Sequence, residues 1–334
     1  MHFLSYLPKN NLLVFLFIIF SFKNIWALTL SGEAELGSAY NSNFGFSSED
    51  QIAETKGVGE GKVAVFQNIL DGSIDLSSHN FTLNYSASAK SAPQYHSYFS
   101  LRQFSDLEYL FEFNNFDLSI GISGESFSDY DDANSFAFRY AGYSLHSDLF
   151  SYQSSQFSGY VSARTTIYKS VDKESFSYLN GRQYLLESGE YLYPFTSYRH
   201  YFMVGGGVKF TDLNDFQNQD SSFMLNNQYL EYFARVKAKF KFNPLTFTFK
   251  TKFIRRGYFD KDKITDQDGN LIFKKRVDFT FVGHGEVKYV FSPSLSFDCF
   301  YQFTNNKSSI EEKSVINHSY IQHLTGLSVT YLFE

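Results

Sequence analysis

The chain is poor in the residues that punctuate or staple most folds, with one cysteine, five prolines and one tryptophan among 334 residues. A single thiol excludes an intrachain disulfide framework, and Cys299, beside Phe297 and Tyr301 in an alternating segment, reads as a small apolar filler. Scarce proline leaves long ladders unbroken. After the first 27 residues no apolar run approaches the roughly 18 residues of a membrane helix, so helical membrane classes are excluded. Positive charge is not in excess either. Removing Lys9 and Lys23 of the leader from the 29 Lys and Arg leaves 27 against 35 Asp and Glu, a net charge of about −8 that argues against a nucleic-acid partner.

Residues 1–27 have the form of a secretory signal peptide: Lys9 precedes an apolar core from Leu12 to Phe20, and Ala27 marks a cleavage point. Residues 28–334 are then expected to form one barrel domain, with no room for a plug ahead of the first strand. That region is rich in aromatics, the whole chain carrying 40 Phe and 25 Tyr, and they recur at every second position. Leu230, Tyr232, Ala234, Val236, Ala238, Phe240 and Phe242 fill one phase, while Glu231, Arg235, Lys237, Lys239 and Lys241 fill most of the other. Period-two alternation of this kind places a strand between an apolar and a polar medium. Behind an export signal those media are lipid outside and water inside. The fold expected is therefore all-β, a transmembrane antiparallel up-and-down β-barrel of about 14 strands in the outer membrane of a Gram-negative bacterium.

Tight turns at Asn114-Asn115, Asn243-Pro244 and Ser292-Pro293 fix strand directions. Walking outward from them predicts strands near 28–40, 62–70, 79–90, 97–113, 116–126, 135–146, 156–168, 182–193, 198–210, 228–242, 245–256, 273–291, 294–304 and 318–333. An even count puts both termini and all three turns on the periplasmic side. Long surface loops are expected at 41–61, 169–181, 211–227, 257–272 and 305–317.

The closing strands carry a resemblance. Arg276, Asp278, the run Tyr289-Val290-Phe291-Ser292-Pro293-Ser294-Leu295-Ser296, the run from Tyr301 to Ser308, and Gly326-Leu327-Ser328 with Tyr331 and Phe333 resemble outer-membrane β-barrel porins of Gram-negative bacteria. They also resemble the barrel of surface lipoprotein assembly modifiers. Leu327, Val329, Tyr331 and Phe333 are similar to the terminal signal read by the barrel-insertion machinery, although the chain ends on Glu334. The resemblance implies insertion by that machinery into outer-membrane lipid. The large periplasmic repeat domain of the assembly modifiers is not expected here.

Polar phases supply the candidate functional residues. Pairing across Asn243-Pro244 sets Lys237 near Lys250 and Arg235 near Lys252, with Lys239 and Lys241 continuing a basic stripe on the lumen wall. Arg139, Arg164, Arg199 and Lys209 are further lumen cations expected from the same phasing. Glu33, Glu35, Glu108, Glu112 and Asp117 occupy polar phases on the other half of the ring. Acid on one wall and base on the other would orient solutes and tune ion selectivity, although inward charges also serve simply to solvate a wall or to pair, as Lys288 and Asp298 are placed to do.

Other patterns are weak. Residues 57–63 echo a phosphate loop but have Val63 where Ser or Thr is required. Asp260, Asp262, Asp266 and Asp268 resemble a calcium loop without its spacing. His284, flanked by glycines on a polar phase, and His323, on the lipid phase, join no nucleophile and orienting group, so no enzyme activity, cofactor or metal is expected. The expected role is a porin or channel for small hydrophilic solutes; the alternative is a structural, adhesive or biogenesis barrel that contacts another protein through its loops or lumen.

Overall fold

The computed structural model describes residues 29–42, 65–78, 80–91, 99–130, 136–170, 180–195, 197–214, 216–217, 224–225, 227–265, 270–310 and 319–333. The expected signal peptide and the phosphate-loop echo at 57–63 lie outside them, as do Asp266 and Asp268.

The described residues form one sheet of β1 (Thr29–Asn41), β2 (Val65–Ser78), β3 (Phe81–Ser91), β4 (Phe99–Glu112), β5 (Phe116–Tyr130), β6 (Phe136–Tyr152), β7 (Phe157–Ser170), β8 (Gly181–Leu192), β9 (Tyr201–Leu213), β10 (Phe216–Gln217), β11 (Met224–Leu225), β12 (Gln228–Phe242), β13 (Leu245–Thr265), β14 (Leu271–Ser292), β15 (Leu295–Ser308) and β16 (Tyr320–Phe333). The two-residue β10 and β11 form a small ribbon against the end of β13. The other strands pair with their chain neighbours, all antiparallel, and β16 returns to β1 from Gly32↔Phe333 to Asn41↔Leu324. That last pairing closes a 14-strand up-and-down barrel. Closure satisfies every strand edge, which a sheet surrounded by lipid requires.

The pleat divides the side chains into two sets. Leu36, Leu70, Ile122, Leu145, Leu186, Val204, Phe249 and Leu327 are exposed on the outer wall. Larger rings gather toward the ends, with Phe113, Phe242, Phe291 and Tyr331 at the short-turn end and Tyr40, Phe66, Tyr143 and Phe253 at the other. An apolar band bounded by aromatic girdles is what a bilayer selects. Cys299 is exposed on this outer surface, as its phase predicts.

The expected parity holds: the turns at 114–115, 243–244 and 293–294 lie at one end together with both ends of the described chain. Several expected boundaries change: β5, β6 and β15 run on to Tyr130, Tyr152 and Ser308 where ends at 126, 146 and 304 were expected, and two shifts are larger. Residues 71–78 continue β2, so the Asp71-Gly72 pair is strand and the ladder to β3 ends at the Ser78↔Phe81 pair. The loop expected at 257–272 is largely ladder, since β13 runs to Thr265 and β14 starts at Leu271, with a register irregularity between Gly257 and Lys261. Lys261, Asp262, Lys274 and Lys275 make this stretch polar in both phases, with Lys261 and Lys275 on the outward one and Asp262 buried beside Arg276 on the inward one. Alternation vanishes there although the hydrogen bonds persist.

Candidate functional site

The register assigns the expected lumen residues of β1, β4, β5, β12 and β13 to the inward phase. On β12, Glu231, Arg235, Lys237, Lys239 and Lys241 meet Arg256, Lys252, Lys250, Thr248 and Thr246 of β13. On the other half of the ring Glu33 and Glu35 of β1 face Ser73 and Asp71 of β2, and Glu112 and Glu108 of β4 face Asp117 and Gly121 of β5. Strand order places β3 and β4 half a ring from β12 and β13. Lys237 stands six positions before Asn243 and Glu108 six before Asn114, so the two walls oppose each other at matching height. With strands about 4.8 Å apart and tilted by about 40°, a 14-strand ring measures roughly 28 Å between opposite backbones.

One row of residues shows how the wall stays thin. Tyr160 of β7, Gly189 of β8, Gly205 of β9 and Arg235 of β12 pair successively across the sheet. A β-carbon on Gly189 would come 2.6 Å from the Tyr160 ring, and one on Gly205 would come 2.5 Å from its hydroxyl. Glycine at both positions lets the ring lie flat along the wall instead of standing in the lumen. Its hydroxyl donates to Glu187 at 2.5 Å and accepts from Arg235 Nη2 at 3.0 Å, and Arg235 also pairs directly with Glu187. Phe233 covers Gly207 in the same way.

Above this row the charges are locked. Glu231 is 1% exposed and holds Arg256 Nε at 2.7 Å, Lys209 Nζ at 3.2 Å and Lys252 Nζ at 3.9 Å. Arg276 reaches Asp262 and Asp278, each at 3.5 Å, and packs 3.5 Å from the centre of the Tyr258 ring. Asp262, which the sequence suggested as a calcium-loop ligand, is thus fully buried beside a guanidinium. Lys288 and Asp298 form their expected pair at 3.6 Å.

The basic stripe therefore divides. Arg235 and Lys252 are neutralised by Glu187 and Glu231, whereas among the described residues Lys237, Lys239, Lys241 and Lys250 have no carboxylate within ion-pair distance. On the acidic side Arg102 pairs with Glu125 at 2.8 Å, while Glu33, Glu35 and Glu108 have no cation at that range among the described residues. Asp117 accepts from the Tyr152 hydroxyl. Two expected lumen cations are misplaced: position 139 pairs with Ser128 in the outer phase, and Arg199 lies in the turn between β8 and β9. Arg164 and Lys209 are on the inward phase, opposite His146 and Glu231.

The sequence reading missed Tyr160, Glu187 and His146. The Gly205-Gly206-Gly207 run was the available signal, because glycine inside a strand marks a close approach. His146 uses the same device, its imidazole lying over Gly121 with Nε2 3.6 Å from Asp106. Donor atoms of Asp106, Glu108 and His146 lie within 4.8 Å of one another, the one metal-type grouping found among the described residues. Arg164 is the next residue in the His146 row, so protein cations already face these carboxylates.

No protein-family model matches the chain, and no curated protein matches it. Among solved structures, in-vitro folded OmpT, an outer membrane protein of Vibrio cholerae, aligns at a TM-score of 0.46 and 7% identity over 92% of this chain and 97% of its own. OccAB3 of Acinetobacter baumannii aligns at 0.46 and 9% over 91% and 99%. The CymD monoaromatic hydrocarbon channel aligns at 0.48 and 11% over 92% and 88%. The closed even-stranded ring, the apolar outer band and the charged interior are the architecture of a transmembrane β-barrel.

Proposed function

We propose that the barrel is a passive channel for small hydrophilic solutes, with selectivity set by the opposed acidic and basic walls. The observation that carries this reading is the inward phase itself. Opposite halves of the ring present unpaired carboxylates and unpaired lysines at the same height, where a barrel that merely fills its interior would pack apolar or mutually neutralised side chains. Tyr160 and Phe233 lie along the wall over glycines, which keeps these two rings out of the path. Charges fixed in a narrow aqueous passage orient dipolar solutes and favour one sign of ion according to which wall the path follows. Partners under this reading are outer-membrane lipid, the insertion machinery during assembly, and the solutes themselves; no enzymatic step is assigned.

The test is conductance of the refolded protein in planar bilayers together with liposome swelling in sugars of graded size. Discrete current steps and size-dependent swelling are expected. A barrel that inserts, yet passes neither ions nor sugars, would refute the channel role and favour a barrel that works through protein contacts.

A further inference from the structure

We propose that the periplasmic half of the β12–β13 wall is a binding site for a carboxylated saccharide in transit; this rests on the channel reading above. Lys237 and Lys250 face each other directly across the ladder, and Lys239 and Lys241 follow on the same phase. Like charges so paired repel and weaken the sheet. Neighbouring lumen cations are each matched, Lys209 and Lys252 by Glu231, Arg235 by Glu187 and Lys288 by Asp298. These four lysines are not matched among the described residues. The acid nearest in register, Glu286 opposite Thr248, has His284 beside it at 3.4 Å and attracts Lys237, Lys239, Lys250 and Lys288 without an ion-pair contact to any of them. One carboxylate among these lysines leaves the wall with a net positive charge, as a site for an anion must.

Aromatic faces adjoin it. Tyr201 pairs with Lys239 across β9–β12, and Lys237 Nζ stands 5.4 Å from the centre of its ring. The Tyr191 ring meets Tyr201 edge-on at 5.5 Å. Both tyrosines are partly exposed. A sugar ring offers an apolar C–H face to tyrosine, and a carboxylate on it satisfies lysine by charge-assisted hydrogen bonds. An inorganic anion would use the lysines and leave the rings idle, and a neutral sugar would do the reverse.

The experiment records single-channel current through the refolded full chain with a glucuronic acid trisaccharide, maltotriose or sodium sulfate added. The glucuronate trisaccharide should interrupt the current at a concentration about tenfold lower than either control. Lys237→Gln combined with Lys250→Gln should raise that concentration about tenfold, Tyr201→Leu should raise it as well, and Lys90→Gln on the far wall should leave it unchanged. Equal interruption by the three probes, or interruption that survives the double substitution, overturns the site. Absence of any current overturns the channel reading alone; equilibrium binding of labelled trisaccharide to the micelle-held barrel and its double variant then decides the site by the same comparison.

Discussion

The Tyr160 hydroxyl accepts a hydrogen bond from Arg235 at 3.0 Å across a gap spanned only by Gly189 and Gly205. Sequence-distant residues meet because two side chains are missing between them. The lumen wall at this row is a ring laid on backbone.

Gly205→Ala should therefore disturb both stability and flow. Its β-carbon would sit 2.5 Å from the Tyr160 hydroxyl and 2.8 Å from the Ser188 carbonyl oxygen, so about 1–3 kcal/mol of destabilisation is expected in urea titrations in lipid. With the ring pushed off the wall, single-channel conductance should fall, whereas Tyr160→Ala should raise it. Conductance that ignores both changes would mean that the current bypasses this row.

Reversal potentials test the two walls separately. Neutralising Lys237, Lys239 and Lys250 to Gln should shift permeability toward cations, and Glu33, Glu35 and Glu108 to Gln should shift it toward anions. The difference should be plain at 0.1 M KCl, where screening extends about 10 Å, and small at 1 M, where it extends about 3 Å. Identical ion preference before and after either set would remove the claim of wall-controlled selectivity.

Glu231→Gln leaves Lys209, Arg256 and Lys252 crowded around a neutral group. Removing one partner from a buried ionic cluster costs about 3 kcal/mol, an effect readable as a lower denaturation midpoint. Glu33→Gln, which breaks no ion pair among the described residues, should cost far less. A Glu231 variant as stable as the parent would show that the cluster is solvated and dispensable.

Cys299 reports the outer face. A bimane attached there should be quenched by lipids carrying a quencher in their acyl chains and spared by iodide in water, because the residue is exposed on the apolar phase of β15. The opposite pattern would mean that inside and outside have been exchanged.

Much of the barrel was legible in the chain because lipid and water impose opposite demands on successive residues. Closure, parity, the Lys237–Lys250 pairing and the Lys288–Asp298 pair all follow from that alternation together with turn positions. Alternation fails where charged residues take both phases, as Lys261 and Asp262 do, which is why 258–265 resembled a loop. It also says which way Arg235 and Lys252 point without saying whom they meet: Glu187 lies two strands from Arg235, and Glu231 serves three cations at once. Tyr160 was invisible for a related reason, since its role depends on glycines one and two strands away.

The hairpin of β13 and β14 has one last consequence. Its strands are 21 and 22 residues long where about 9–11 cross a bilayer, and Lys261 and Lys275 mark the outward phase beyond the apolar band. The surplus of about ten residues, rising about 3.3 Å each along a tilted strand, lifts this edge roughly 25 Å above the lipid. Among the described residues the rim is thus a parapet with one tall merlon, which offers an antibody or bacteriophage tail a raised edge of paired backbone.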